Sequence, residues 1–304
     1  MGWRIGAPDH LVKADMQVFF FGIGYSSRAA ARAIRKINDG DTPISGSTRN
    51  GENAKVLNLE HIDAHVFDGS KPGSTLGTPL SRASHVINSI APDQNGDAVL
   101  NHHRADLEKS KSLDWLCYYS TVGVYGNADG AWIDETALCH PLNQRAKWRI
   151  DAENAWRAFA NERRVPLLIL RLAGIYGPGR SSFDKLKAGT ARAIIKPGQV
   201  FNRIHVADIA RVTALAAMAK LEGTYNLADD EPAPAPDLVG YAAKMMDVAP
   251  PPDIPFESAD MTPMARSFYA DNKRVSNAAI KKALGIELLY PTYREGLTAI
   301  YGAS

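Results

Sequence analysis

The chain has 304 residues, 45% of them apolar and 22% charged, with a formal net charge of +2. That length supports one large α/β domain plus a smaller lobe, and a charge so near zero argues against nucleic-acid and membrane-surface binding. The two cysteines, Cys117 and Cys139, make no disulfide framework and fit a reducing cytoplasm, and no apolar run is long enough to span a bilayer.

Residues 1–15 carry no signal-peptide apolar core and read as a loose extension, because Met16 stands directly before the first strand. Met1-Gly2 opens like a myristoylation site, but Gly6 occupies the place where Ser or Thr is required. The run Val18-Phe19-Phe20-Phe21 then stops at Gly22-Ile23-Gly24-Tyr25-Ser26-Ser27-Arg28, and an alanine-rich amphipathic stretch continues to about Lys36. This pattern predicts strand, tight turn and helix. Gly22 lets the chain turn, Gly24 lets the backbone approach a ligand, and Ser27 is the third small residue, where helix packs on strand. The helix opening, Tyr25, Ser26 and Ser27, then presents free N–H groups to a pyrophosphate.

Further strands are predicted at Ile44–Ser47, His65–Phe67, Ser84–Ile90, Leu113–Tyr119 and Val165–Leu172, with helices around 26–38, 53–59, 74–82, 97–110 and 142–163. Short apolar strands alternating with amphipathic helices imply a doubly wound parallel sheet of the Rossmann type, over about 16–175. Ligands bind such sheets outside the strands' carboxyl ends, which carry Gly22, Arg49, Asp68, Ser89, Thr121 and Ala173. Asp68 is placed near an adenine, and Ser89, Ile90 and Ala91 along the cofactor's path. The second strand ends in Thr48-Arg49 with no acid before Glu52, which favours NADP over NAD, with Arg49 gripping the 2′-phosphate and Arg28 assisting. The remainder, 176–304, is less regular and reads as a small mixed lobe closing over the cleft. It holds strands at Phe201–Val206 and Thr224–Leu227 and helices at 208–220, 237–247, 275–284 and 293–301.

The fifth-strand segment Tyr119-Ser120-Thr121-Val122-Gly123-Val124-Tyr125-Gly126 resembles the Ser/Thr segment of the extended short-chain dehydrogenase/reductases, the NAD(P)-dependent epimerase/dehydratase family. Arg171-Leu172-Ala173-Gly174-Ile175-Tyr176-Gly177-Pro178-Gly179 resembles its sixth-strand segment. Phe201–Ala210 and Thr224–Ala228 resemble two later ones, so the likeness covers roughly 17–230 in the right order. The resemblance implies a hydride-transferring enzyme in which a hydroxyl holds the substrate oxygen, here Thr121 with Ser120 beside it. A tyrosine moves the proton, and a lysine four residues later lowers that tyrosine's pKa and binds the ribose. It also implies pairing of chains through helices 97–110 and 142–163. The tyrosine and lysine are where this chain departs: counting back from Glu153 gives Arg145 and Arg149, and no tyrosine lies between Gly126 and Tyr176. The family's active-site asparagine is also missing, with Asp97 near its place.

Two readings follow: an NADP-dependent oxidoreductase or epimerase-like enzyme acting on a sugar, nucleotide-sugar or small carbonyl or hydroxyl compound, or a cofactor-binding regulatory protein without turnover. In the first, Tyr125 is the leading replacement for the missing tyrosine, ahead of Tyr176, Asp97 and Lys147. Arg180, Arg203 and His205 are candidates for the substrate side. Asp208 reads as a helix-opening residue and Asp134-Glu135 as a loop pair. The adjacent His102-His103 cannot share a helix face, so no metal site is expected.

Overall fold

The computed structural model describes residues 15–38 and 40–303. The expected N-terminal extension, with its Met1-Gly2 pattern, therefore lies outside the described residues except for Asp15. Seven parallel strands form the central sheet: β1 (Val18–Phe21), β2 (Ile44–Thr48), β3 (Asp63–Val66), β4 (His85–Asn88), β5 (Trp115–Thr121), β6 (Leu167–Leu172) and β7 (Gly223–Leu227). Their spatial order is 7-6-5-4-1-2-3, with β1 paired to both β2 and β4. The order reverses between β1 and β4, so a crevice opens at the end of β1, where doubly wound sheets take their ligands.

The sheet is covered on both faces because its strands are apolar on both. Val18 and Phe20 pack with α1 (Tyr25–Ile37), with Leu57 of α2 (Gly51–Leu59) and with the helix Val206–Ala219, whereas Phe19 and Phe21 pack with α3 (Gly77–Arg82), α4 (Ala98–Lys109) and α5 (Gln144–Arg163). That alternation is the period of two expected of a strand. β7 and the helix Val206–Ala219 come from beyond residue 175, so the sheet runs past the boundary expected there. A separate apolar cluster joins Tyr176, Phe183, Leu238, Tyr293 and Leu297. The sequence pattern did not suggest the short strands at Gly174–Tyr176, Ala193–Ile195 and Asp253–Pro255, nor the short helix Ser182–Lys187.

Two buried carboxylates fasten the helices to the sheet. Asp97 caps α4 by accepting from the Val99 and Leu100 N–H groups, each at 3.0 Å. Its other oxygen accepts from Asn88 Nδ2 and Trp156 Nε1, also at 3.0 Å, so one side chain joins β4, α4 and α5. With every contact structural, Asp97 is withdrawn as a proton-moving group. Glu153 on α5 accepts from Ser120 Oγ at 2.5 Å, from Arg171 Nε and Nη2 at 3.1 and 2.7 Å, and from Arg157 Nη2 at 3.1 Å. Burial pushes its pKa up, but the Arg171 guanidinium, the Ser120 hydroxyl and Arg157 together outweigh that and hold the group below the usual carboxylate range. Among the described residues no helix is long and apolar enough to cross a membrane, and no cluster of three metal-ligating side chains occurs.

Glu153→Ala should cost about 3–5 kcal/mol in urea unfolding at pH 7, because it strands the buried Arg171 charge. Asp229 behaves oppositely: it is almost fully buried, and burial pushes its pKa up to about 8. The folded state therefore keeps this proton longer than the unfolded chain, and the group's contribution to stability declines as pH rises from about 4 towards 8. Urea midpoints of Asp229→Asn should move upward relative to wild type over that window; a constant difference from pH 4 to 8.5 would refute the assignment.

Candidate active site

The turn between β1 and α1 shows why two glycines stand there. Gly22 has φ of +80°, and a Cβ on it would lie 2.9 Å from Ile90 Cγ1 and 3.0 Å from Ser89 Oγ. Both its conformation and its surroundings require glycine. Gly24, at the N-cap of α1, has an ordinary φ of −107° and nothing within 4 Å of a built Cβ. A side chain there would project into the open crevice, at the place where a bound group must meet the backbone. Ser27 is buried and donates to Ser89 Oγ at 3.1 Å, and Ser89 donates to the Gly22 carbonyl at 2.6 Å. The helix opening is thus braced against the end of β4 without using the N–H groups of its first turn. An exposed backbone cradle at a helix N-terminus fits a nucleotide pyrophosphate.

A cavity of about 360 Å³ lies at this opening, between the ends of β1, β4, β5 and β6. Its lining includes Tyr25, Ser26, Ser27, Ser89, Tyr119, Ser120, Thr121, Arg149, Ala173 and Arg180. Thr121 Oγ1 accepts from the Gly123 N–H at 3.1 Å, which leaves its own O–H free to donate into the cavity. Ser120 is different: its O–H is committed to Glu153, which removes it as a second substrate-holding hydroxyl.

Tyr125 is not a replacement proton donor. Its hydroxyl donates to Asn226 Oδ1 at 2.8 Å, the Arg171 guanidinium lies 4.8 Å from its ring centre, and it does not line the cavity. Of the lesser candidates, Tyr176 is buried in the outer apolar cluster and Lys147 is exposed on α5, and neither lines the cavity. His205 is fully buried, caps the helix Val206–Ala219 by accepting from the Ala207 N–H, and has its pKa pushed down to about 4 by burial. Arg203 donates from Nη1 to the Phe201 and Ala233 carbonyls, at 3.0 and 2.8 Å, and does not line the cavity. Both leave the substrate side. Arg180 stays, stacked 5.4 Å from the Tyr25 ring, whose hydroxyl donates to the Pro178 carbonyl at 3.0 Å. Burial, partly offset by Arg180, pushes that hydroxyl's pKa up to about 12.

At the end of β2, Arg49 is exposed and has no hydrogen-bond or ion-pair partner among the described residues. Thr48 is buried and its carbonyl accepts from the Phe67 N–H. Asp68 is exposed, its carboxylate accepting from the Ser70 N–H and hydroxyl at 2.9 and 2.7 Å. Arg28 pairs instead with Glu60 at the far end of α2, so it does not assist Arg49. It borders a larger cavity, about 680 Å³, on the outer flank of α1.

Arg149 is the cavity residue that sequence reasoning passed over. The count back from Glu153 had marked its position, but only as a place where a lysine is missing. Its Nη1 donates to the Tyr119 carbonyl at 2.8 Å and to Tyr118 Oη at 3.1 Å. Arg145 reaches outward to Met264 Sδ at 3.4 Å.

No family model matches the sequence. Among solved structures, the chain is 42% identical to a functionally unknown conserved protein from Silicibacter pomeroyi, over 95% of this chain and 99% of that one, with a TM-score of 0.84. A UDP-glucuronic acid 4-epimerase from Bacillus cereus, in complex with NAD, is 16% identical over 94% of this chain and 98% of its own, with a TM-score of 0.73. A dTDP-glucose 4,6-dehydratase from Bacillus anthracis, also with NAD, is 15% identical over 94% and 96%, with a TM-score of 0.74. One curated relative, a 3-diazoavenalumate denitrifying reductase from a Streptomyces species, is 26% identical over 141 residues; the match spans 43% of this chain and 45% of that protein, under half its length. The chain has the fold of the extended short-chain dehydrogenase/reductases and belongs to the family of the Silicibacter pomeroyi protein.

Gly24→Ala should leave the urea midpoint nearly unchanged, within about 0.5 kcal/mol, yet weaken nicotinamide-nucleotide binding in a fluorescence titration. Gly22→Ala should instead cost about 1–3 kcal/mol of stability through strain at positive φ.

Proposed function

We propose that the protein is an NADP(H)-dependent reductase of a small carbonyl-type compound, rather than an epimerase or dehydratase. The observation that carries this reading is the chemistry of the cavity wall: among the described residues lining it there is no Asp, Glu, His, Lys or Cys. Oxidising an alcohol requires a group that takes its hydroxyl proton. The two tyrosines in the wall do not serve, since Tyr25 donates to Pro178 and titrates at about 12, and Tyr119 is bound to Thr213 with its pKa pushed far up by burial. Arginine does not deprotonate near neutral pH.

Reduction runs through the same transition state and also needs a proton, but the alkoxide it forms is basic enough to take that proton from water without a side-chain acid. The amides of Tyr25, Ser26 and Ser27 at the opening of α1 would hold a nicotinamide nucleotide, which would supply the hydride. Thr121 donates its O–H to the substrate oxygen as negative charge develops there, and water delivers the proton. The partial match to a curated reductase supports the same direction. The unpartnered Arg49, with no acid at the end of β2, supports the phosphorylated cofactor.

The test is NADPH oxidation against a carbonyl panel, beside NADP⁺ reduction by the matching alcohols. Carbonyl reduction should proceed with kcat/KM varying by less than about threefold between pH 6 and 9, because no cavity group titrates there. Thr121→Ala should lower kcat/KM by about 10²–10³-fold. Arg49→Ala should weaken NADPH binding by about tenfold and leave NADH unaffected. Epimerisation or loss of water from a sugar nucleotide, with no net consumption of NADPH, would sink the reading. Saturable NADPH binding without any oxidation would favour a cofactor-binding protein that does not turn over.

A further inference from the structure

We infer that Arg149 receives a carboxylate carried by the substrate; the inference rests on the reductase reading for the reaction, but not for the binding. The guanidinium is fixed from one side only. Its Nη1 is spent on the Tyr119 carbonyl and Tyr118 Oη, and the group lies 5.6 Å from the Tyr118 ring centre. Those contacts hold the plane still while Nε and Nη2 have no partner among the described residues. That remaining edge presents two parallel N–H groups, the arrangement that matches the two oxygens of a carboxylate.

The surroundings supply no counter-charge. Arg149 is half-buried, and the cavity it lines holds a second cation, Arg180, with no carboxylate. A half-buried positive charge without a partner is costly, and an anionic occupant relieves that cost. The two arginines divide the work by position. Arg180 is stacked on Tyr25, the first residue of α1, and belongs with the phosphates expected at that helix opening. Arg149 lies beneath the end of β5, hydrogen-bonded to the residue two before Thr121. One hydroxyl donor and one guanidinium edge then recognise a substrate with a reducible oxygen and a nearby carboxylate, such as an oxo acid.

Two measurements test this. In calorimetry on the NADP⁺-loaded protein, benzoate should bind at least about tenfold more tightly than benzamide. Equal binding, or tighter binding of phenylphosphonate than of benzoate, would overturn the inference. In turnover, phenylglyoxylate should exceed its methyl ester in kcat/KM by about 10²-fold, mainly through KM. Arg149→Lys should keep part of that preference and Arg149→Met none. An ester reduced as fast as the acid, or a preference surviving Arg149→Met, would refute it. If no carbonyl is reduced at all, the reductase reading fails, and the benzoate comparison still decides the carboxylate site.

Discussion

The Glu153 carboxylate is the contact on which the rest of the site depends. It lies at zero exposure between α5, β5 and β6, and takes the Ser120 hydroxyl, both donors of the Arg171 fork and one nitrogen of Arg157. A buried charge is tolerable only when so fully paired. In being paired it sets the height of α5 against the strand ends. Arg149 is one helical turn before Glu153, so the same contact brings its guanidinium to the β5 carbonyl edge. It also decides which of two adjacent hydroxyls is available, because Ser120 faces the carboxylate and Thr121 faces the cavity.

Much of the fold was readable because short, largely apolar strands recur between amphipathic helices. Val18 to Phe21 send successive side chains to opposite layers, and small, polar or turn residues such as Gly22, Arg49, Asp68, Ser89 and Thr121 close or follow the strands on the crevice side. The turn residues Gly22, Gly24 and Ser27 follow from backbone geometry alone, which is local and leaves a clear pattern. What was not legible depended on partners distant in sequence. Nothing near Tyr125 announces Asn226, nothing near Arg28 announces Glu60, and nothing near His205 announces that its ring closes a helix end. The short strands of the second half were missed for the same reason, since three residues carry no period and form only where a neighbouring segment offers a ladder.

The path from β2 to β5 is a sequence of positive and hydroxyl groups with a division of labour. Arg49 stands exposed at the end of β2, the opening of α1 and Arg180 border the cavity, and Thr121 and Arg149 line its wall. The two arginines that line the cavity, Arg149 and Arg180, keep their charge near neutral pH, and no carboxylate, histidine or lysine stands beside them among the described lining residues. The chemistry open to the site narrows accordingly, while its attraction for anions becomes permanent.

The bar formed by Tyr25 and the segment 177–180 has a kinetic consequence. It crosses from the start of α1 to the chain leaving β6, held by one hydroxyl-to-carbonyl bond and one guanidinium resting on a ring. Each is worth about 1 kcal/mol at a partly exposed position, and neither belongs to the sheet. Lifting the bar therefore breaks none of the sheet's strand pairings, so the rim of the cavity beside Tyr25 can move while the sheet stays at rest.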